Sequence, residues 1–453
     1  MKSAHVTYKE ILGKAKRMDA PVHLSTGNHA RRLIAHSPYP ILKVGDASQR
    51  IWHAGRWRRV YVSNPNHGIT LLGSSAILKE NLENEKLVSL KYTEGIEDKK
   101  LKAGWILISC SGTIGNCAFS NAQHAEKLAS QHVIRIKPNN ILRPGLIYAY
   151  LASRYGYAML TQGTFGSVIQ HIEPQHVESI PIPRFPESFQ KEVDDLIQEA
   201  ARLREEATSE LEEAVSHFNT KYPIKAGTTK YFTKQIKDLS FSIASYNNNV
   251  EVRDFVNSYI NNCVQLKTIT SNIFAPPLFK HIYLTKDNGY PFMTGSELTK
   301  FNLRYYRWLS PKGVKDIKDY VIHKGTLLLY KSGTTDGGIL GHVFISDKKL
   351  DGCCLSDHVI RIVFNHEEDS YWAFAFLKSQ GAIRLLQSMA TGTMIPFITP
   401  ERLSDMFIPA PDEKYSMVCT LIRSYIEKVS KAKCNDDQAI SLVEKEIGHW
   451  NKD

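Results

Sequence analysis

The sequence predicts an α+β protein in which two similar mixed α/β domains are each followed by one long helix. Three observations predict this fold class: a duplicated frame of motifs, short apolar runs, and two long amphipathic stretches. The runs WILISCSG, HVIRIKP and GTLLLYKSG are short and end in Gly or Pro, and HVIRIVF alternates polar and apolar residues, which favours strands. The stretches RPGLIYAYLASRYGYAML and SYWAFAFLKSQGAIRLLQSM have the periodicity of helices.

The duplicated frame divides the 453-residue chain into two copies. The heptad SQHVIRI begins at Ser130, and SDHVIRI begins at Ser356, 226 residues later. Ser-Gly-Thr occupies 111–113 and again 332–334. Because the landmarks keep one order and the repeated unit is domain-sized, they favour two similar domains over a stacked solenoid. The beginnings of the copies lack a residue-by-residue match, which suggests two similar scaffolds with different recognition surfaces.

Each copy continues into a long amphipathic stretch whose apolar residues are spaced by threes and fours. About 30 helical residues form a rod of about 45 Å, and two such helices can pair as an antiparallel coiled coil. The alternative is that each helix packs only on its own globular domain. The predicted organisation is a first domain, a first long helix, a linker with the second domain, and a second long helix, at residues 1–186, 187–220, 221–411 and 412–453.

The chain is basic, with a net charge of +11 and a pI near 9.1. Residues 1–60 carry twelve Lys or Arg against three acidic residues. A basic domain with interleaved aromatic residues favours nucleic acid as a partner, and a solubilising surface is the alternative. No apolar run approaches 18 residues, and no signal peptide is evident. We therefore expect a soluble, cytoplasmic protein without a membrane partner.

The seven cysteines are scattered and never spaced as Cys-x-x-Cys, which predicts neither a metal site nor a disulfide framework. Motifs of catalytic proteins are also missing from the sequence. It contains no Asn/Asp-Pro-Pro-Tyr/Phe or Phe-x-Gly-x-Gly-like loop of an adenine methyltransferase, no Walker motif and no His-Glu-x-x-His. These absences predict a protein that directs chemistry carried out by partners.

The order of the motifs resembles the specificity subunit of type I restriction–modification systems. The resemblance rests on a strand ending in Ser-Gly-Thr-x-Gly, the Ser-x-His-Val-Ile-Arg-Ile strand, the YAYLASxxG helix, and GTFGSVIQHIEPQHVESIPIP before a long helix. It covers nearly the whole chain, and Gly163 to Pro183 is its most specific stretch. Copy two departs from the pattern at GTMIPFITP, where the Gly-Ser-x-x-Gln-His of copy one is missing.

The resemblance implies two target recognition domains, at 1–186 and within 221–411, and long spacer helices that pair antiparallel. Each domain would recognise one half of a bipartite site in double-stranded DNA. The implied partners are two DNA adenine methyltransferase subunits and ATP-dependent restriction or translocase subunits. The chain itself would be a non-catalytic specificity subunit that needs no cofactor. Two alternatives stay open: a stand-alone DNA-binding regulatory or architectural protein, and an enzyme with an unrecognised site.

Polar and basic loop residues are the candidates for DNA contact. Hydroxyls and backbone N–H groups at strand ends can hold phosphate oxygens, glutamine can bind adenine, and arginine can bind guanine or phosphate. The alternatives are plain tight turns, a helix cap, and a buried aromatic cluster with surface arginines. The candidates are Arg56, Arg58, Arg59, Ser111, Thr113, Thr164, Ser167, Gln170, His171, Arg304, Arg307, Lys331, Ser332, Thr334 and Thr335.

Two further pairs of residues lie within the repeated heptad. His132 and His358 are interpreted as hydrogen-bonded structural histidines. Arg135 and Arg361 alternate with isoleucine along the strand. We therefore expect both arginines to face away from the apolar side, toward phosphate or solvent.

Overall fold

The chain folds into two compact units, each described here by itself. Unit 1 comprises residues 1–205 and 431–453, and unit 2 comprises residues 206–430. The computed structural model describes residues 8, 11, 24–82, 85–162, 171–225, 233, 235–239, 243–301, 307–333, 338–392 and 394–450.

Helices flank the strands in each unit. The helices are α1 (Thr26–Ala35), α2 (Ile96–Lys99), α3 (Pro144–Ala152), α4 (Arg154–Thr161), α5 (Pro174–Glu178), α6 (Glu187–Lys221), α7 (Val250–Asn257), α8 (Leu266–Ile269), α9 (Gly295–Leu298), α10 (Glu367–Leu377), α11 (Gln380–Ser388), α12 (Pro400–Ser404) and α13 (Tyr415–Gly448).

Short strands form the sheets of both units. The strands of unit 1 are β1 (Ile41–Lys43), β2 (Ser48–Trp52), β3 (Tyr61–Val62), β4 (Gly68–Leu72), β5 (Leu87–Ser89), β6 (Ile106–Ser109), β7 (Cys117–Phe119), β8 (Leu128–Ala129), β9 (Val133–Pro138) and β10 (Pro181–Pro183). The strands of unit 2 are β11 (Cys263–Gln265), β12 (Thr270–Phe274), β13 (Tyr283–Leu284), β14 (Tyr290–Met293), β15 (Arg307–Leu309), β16 (Leu327–Tyr330), β17 (Val343–Ile345), β18 (Cys354–Leu355), β19 (Val359–Phe364) and β20 (Phe407–Pro409).

An antiparallel four-stranded main sheet forms the centre of each unit. Its order is β2-β9-β6-β7 in unit 1 and β12-β19-β16-β17 in unit 2. Every residue of β6 and of β16 is buried, which explains why both are continuous apolar runs. Helices α3 and α4 contribute to the core that covers the main sheet of unit 1, and α10 and α11 do so in unit 2.

A second four-stranded sheet has the order β3-β5-β4-β8 in unit 1 and β13-β15-β14-β18 in unit 2. In both, the last pair is parallel and the other pairs are antiparallel. A two-stranded ribbon, β1-β10 or β11-β20, completes each unit. Every strand of unit 1 therefore has a counterpart in unit 2, including β1, β2 and β3, where the sequence shows no residue-by-residue match.

Each periodic stretch in the middle of a copy forms two helices instead of one. The chain turns extended at Ser153, whose hydroxyl accepts a hydrogen bond from the Gly156 amide at 3.2 Å. Ser379 does the same for the Ala382 amide at 3.3 Å. A serine cap of this kind begins a new helix, so α3 ends before α4, and α10 ends before α11.

Segments of the long helices α6 and α13 contact each other within each unit, in opposite chain order. In unit 1, Arg204 of α6 pairs with Asp436 of α13 at 2.6 Å, and the ring of Phe185, just before α6, lies 5.9 Å from that of Trp450, just after α13. In unit 2, Glu210 of α6 pairs with Lys428 of α13 at 2.7 Å. The pairing as a coiled coil and the predicted domain boundaries stay predictions. Among the helices described, none is both long and apolar enough to cross a membrane.

Candidate nucleic-acid interface

Backbone hydrogen bonds join three loop segments at the end of β6 in unit 1. The amide of Cys110 donates to the carbonyl of His132 at 3.1 Å, and the Cys110 carbonyl accepts from the Ile172 amide at 3.2 Å. The segments are the turn after β6, the residues before β9, and the residues that follow the glycine-rich stretch. Candidate residues that are distant in sequence are thereby brought to one place.

Unit 2 repeats these bonds at the equivalent residues. The amide of Lys331 donates to the His358 carbonyl at 3.0 Å, and the Lys331 carbonyl accepts from the Ile398 amide at 2.8 Å. The Ser332 hydroxyl also lies 3.3 Å from Nδ1 of His358. The same backbone joint therefore forms inside each unit. The repeated heptad supplies one side of it, with His132 in unit 1 and His358 in unit 2.

The Ser-Gly-Thr turn of unit 1 is held by the hydroxyl of Ser109, at the end of β6. The Thr113 hydroxyl lies 2.9 Å from that of Ser109, and the Ser109 hydroxyl donates to the Ser111 carbonyl at 3.2 Å. Gly112 and Gly115 have φ of 73° and 79°, a left-handed conformation that favours glycine. Ser111 and Thr113 are half-buried. The motif is thus a tight turn, and the Thr113 hydroxyl already has a protein partner.

A chain of polar contacts, called the His132 cluster, lies beside this turn. Arg59 donates from Nη2 to Oε1 of Gln131, and Nε2 of Gln131 lies 3.0 Å from Nε2 of His132. The His132 and His171 rings are stacked with centroids 5.9 Å apart. The cluster consists of His53, Arg56, Arg59, Gln131, His132 and His171.

The His132 cluster is electropositive. Burial lowers the pKa of His132, and its neighbours, with Arg59 first among them, lower it further. His132 is therefore neutral near pH 7, and the amide N–H of Gln131 donates to its Nε2. The permanent charges of the cluster are the guanidinium groups of Arg56 and Arg59, and a site with two such cations favours an anion such as phosphate. At the edge of the cluster, the carboxylate of Glu173 lies 3.3 Å from Nε2 of His53.

The arginine run beside the cluster is accessible. Arg56 and Arg58 are exposed, while Arg59 is half-buried, with its guanidinium 5.7 Å from the Trp57 ring centroid. The structure thus brings Arg56 and Arg59 together with His171, as candidate residues from two different loops. Thr164, Ser167, Gln170, Arg304, Thr334 and Thr335 lie outside the described residues.

The remaining candidates of unit 2 differ in their surroundings. Arg307 donates from Nη2 to the Glu297 carboxylate at 2.7 Å, an ion pair that holds the guanidinium in place. Lys331 and Ser332 are half-buried at the backbone joint. Within unit 2, Lys331 and Ser332 are therefore close together, and Arg307 belongs to the second sheet.

The expectation for Arg135 and Arg361 is wrong, because both side chains are buried, at 0% and 1% exposure. Arg135 donates to the Ala129 carbonyl at 2.7 Å, and Arg361 donates to the Leu355 carbonyl at 2.8 Å. Both accepting carbonyls lie at the ends of the parallel strands β8 and β18. A buried carbonyl requires a hydrogen-bond donor. Each arginine extends from the main sheet and supplies that donor to the second sheet, so the two sheets are joined.

Sequence reasoning missed Gln131 and His53 as members of the cluster. Gln131 occupies the position of the single difference between the two heptads, where copy two has Asp357. That difference within an otherwise repeated stretch was a usable signal of a copy-specific role. No sequence signal marked His53, which reaches the cluster only through the folding of the chain.

The comparisons with known proteins identify a family. The model for the type I restriction modification DNA specificity domain matches the chain twice, over residues 64–213 and 272–416. Among curated proteins, no sequence matches the chain significantly.

Two solved structures illustrate the structural comparison. The chain is 13% identical to the HsdS subunit from Thermoanaerobacter tengcongensis, covering 91% of this chain and 96% of that one, with a TM-score of 0.29. It is 10% identical to the type I restriction–modification S subunit from M. genitalium, covering 92% and 96%, with a TM-score of 0.32. These TM-scores are too low to support a conclusion.

Proposed function

Because this chain belongs to the type I restriction–modification DNA specificity family, we propose that it reads a bipartite DNA site, one half with each unit. The observation that carries the proposal is the double family match on two units with the same strand order. Two equivalent scaffolds in one chain supply two recognition surfaces. Their differing loops supply two different half-sites, because loops vary freely on a kept scaffold.

The specificity subunit makes no bond itself in this proposal. Exposed cations such as Arg56 and Arg58 contact phosphates, and this part of the DNA affinity falls as the salt concentration rises. Loop side chains contact base edges in the major groove. The His132 cluster, which includes Arg56, favours anions. Positioning on DNA is thereby separated from reading of the bases, as in other DNA-binding proteins.

The chemistry is assigned to partner proteins. Two DNA adenine methyltransferase subunits would each flip an adenine out of one half-site and methylate it. ATP-dependent restriction or translocase subunits would act on unmethylated DNA. The proposal includes the target recognition domains at 1–186 and within 221–411, the long helices as spacers between them, and a cytoplasmic location. The chain contributes DNA specificity to this assembly.

Co-purification followed by methylation mapping tests the function. The tagged full chain should co-purify with an adenine methyltransferase, and the complex should methylate adenines within one interrupted, asymmetric motif. The chain alone should bind duplex DNA without methylating or cleaving it. Motif-specific DNA binding without any methyltransferase partner would instead support a stand-alone regulator, and methyl transfer by the purified chain alone would refute the proposal.

A further inference from the structure

The second sheets of the two units reveal a match that the sequence alone did not show. Tyr61 on β3 pairs with Val88 on β5, and Tyr283 on β13 pairs with Leu309 on β15. The Ser89 amide donates to the Val60 carbonyl, and the Ser310 amide donates to the Ile282 carbonyl. Both hydrogen bonds measure 2.8 Å. Tyr61 and Tyr283 are therefore structurally equivalent.

This equivalence aligns two hexapeptides, WRRVYV at 57–62 and FKHIYL at 279–284. Each position keeps its chemical class: aromatic, cation, cation or histidine, aliphatic, tyrosine, aliphatic. Trp57 and Phe279 both pack against the small apolar cluster beneath their own sheet. The aromatic residue thus anchors the segment in each unit.

The accessible side chains of these hexapeptides are cations and tyrosines. Arg58 and its counterpart Lys280 are both exposed. Tyr61 is 51% exposed and Tyr283 is 43% exposed. Tyr283 also contacts the Phe292 ring, with centroids 6.1 Å apart, yet about half of each tyrosine remains accessible to a ligand.

A second cation accompanies each tyrosine at the same register. Lys86 precedes the partner of Tyr61 by two residues, and its Nζ lies 5.5 Å from the Tyr61 ring centroid. Arg307 precedes the partner of Tyr283 by two residues, and its guanidinium carbon lies 6.0 Å from the Tyr283 ring centroid. Alternate residues of a strand share one face, so each cation lies on the face of its tyrosine.

The tyrosine strands are terminal in their sheets. In the orders formed by the described strands, β3 and β13 each stand at one end. An end strand with its neighbour forms a two-stranded ribbon, which fits the major groove of DNA. Tyrosine hydroxyls and cations are donors to phosphates and to base edges.

We propose that the β3-β5 and β13-β15 ribbons are the equivalent DNA-contacting elements of the two units. In unit 1, Arg58, Tyr61 and Lys86 face the first half-site. In unit 2, Lys280 and Tyr283 face the second, while Glu297 orients Arg307 through the 2.7 Å ion pair. The inference rests on the proposed function, and it adds a cationic contact site in unit 2 that matches the arginine run of unit 1.

Selection of binding sites from a randomised duplex DNA library tests the inference, with the full chain in complex with its co-purified methyltransferase. The double variant Tyr61→Ala/Lys86→Ala should lower affinity about tenfold for the selected site and lose preference in one half of the motif. The double variant Lys280→Ala/Tyr283→Ala should lose preference in the other half only. Circular dichroism melting establishes that both variants are folded.

A matched control is available in unit 1. Tyr92 is 61% exposed with Nζ of Lys91 5.5 Å from its ring, but it lies beyond the end of β5 and outside the aligned hexapeptides. Tyr92→Ala/Lys91→Ala should leave the motif and the affinity unchanged.

The outcomes separate this inference from the proposed function. If the wild-type complex selects no interrupted motif, the proposed function fails. If the wild type selects one and both ribbon variants select it equally well, only the ribbon inference is refuted. It is also refuted if the ribbon variants retain DNA preference but lose the methyltransferase, or if the Tyr92 control is as damaging.

Discussion

Removing the Arg204 side chain is expected to destabilise unit 1 strongly. Arg204 lies on α6 and donates from Nη2 to Asp436 of α13 at 2.6 Å. Its Nε lies 3.3 Å from Oε1 of Glu80, which belongs to the globular part of the same unit. The exposed fractions of the three side chains are 10%, 3% and 9%. One buried cation is therefore the shared partner of two buried carboxylates.

The magnitudes follow from which charges each variant leaves buried. Burial lowers the pKa of Arg204, but Asp436 and Glu80 outweigh this effect and its pKa rises, so the guanidinium is charged. Arg204→Met leaves two buried carboxylates without their cation, at a cost of about 5 kcal/mol in the free energy of unfolding. Asp436→Asn leaves Arg204 with Glu80, so the cost should be nearer about 3 kcal/mol.

Arg202 supplies a matched control two residues earlier on α6. Its ion pair with Glu199 at 2.7 Å is exposed, with side-chain exposures of 54% and 41%. Arg202→Met should therefore cost less than about 1 kcal/mol, because water screens surface pairs. The comparison separates the loss of a buried charge partner from the loss of an arginine on the helix.

Hydrogen exchange with mass spectrometry in increasing urea gives the required measurement. It reports unit 1 and unit 2 peptides separately, which matters because a chain of two units need not unfold in one step. The expected order of destabilisation is Arg204→Met, then Asp436→Asn, then Arg202→Met, with the loss seen in unit 1 peptides. If Asp436→Asn were more damaging than Arg204→Met, or if Arg204→Met matched Arg202→Met, the reasoning would be refuted.

Three further predictions concern DNA binding, site spacing and pH. Replacing Arg56, Arg58 and Arg59 with alanine should weaken DNA binding and flatten its salt dependence, whereas Lys102→Ala should change neither. An unchanged slope of affinity against salt concentration in filter binding would exclude the segment as a phosphate contact. Inserting seven residues after Ala207, with seven at the facing position of α13, lengthens the spacer by about 10 Å, or about three base pairs. Methylation mapping should then find the same half-sites separated by a longer gap. An unchanged gap would contradict the spacer role. Burial lowers the pKa of His124 to about 4, aided by the charges of Lys127 and Arg204. Because the unfolded histidine binds its proton near pH 6.5, the stability of unit 1 should fall by about 3 kcal/mol as the pH drops from about 6.5 to about 4; His124→Gln should remove that slope in urea titrations, and an identical slope would show that another group causes it.

Much of the fold followed from local sequence patterns. The family prediction is confirmed by the two matches of the specificity model, and the two similar α/β domains with long helices are present. The repeated heptad marked a true structural joint, because its backbone bonds recur at Cys110 and Lys331. Strand and helix patterns depend on the periodicity of nearby residues, which the sequence displays directly.

The candidate site was less predictable. The arginine run and His171 do meet around His132, yet His53 and Gln131 were missed because their contacts span 120 and 72 residues. Arg135 was misplaced because alternation along a strand does not reveal a second sheet that buries its polar side. A contact between distant residues leaves no periodic signal in the sequence.

The amino-acid sequence by itself determined the duplication, the strand and helix periodicity, the basic character and the family. Tertiary structure alone decided which residues of the diverged beginnings correspond, because that correspondence is defined by strand register and not by residue identity. The pairing of Tyr61 with Val88 and of Tyr283 with Leu309 aligns WRRVYV with FKHIYL. Register arises from hydrogen bonds between segments more than 20 residues apart, so the equivalence of the two surfaces became visible only in the folded chain.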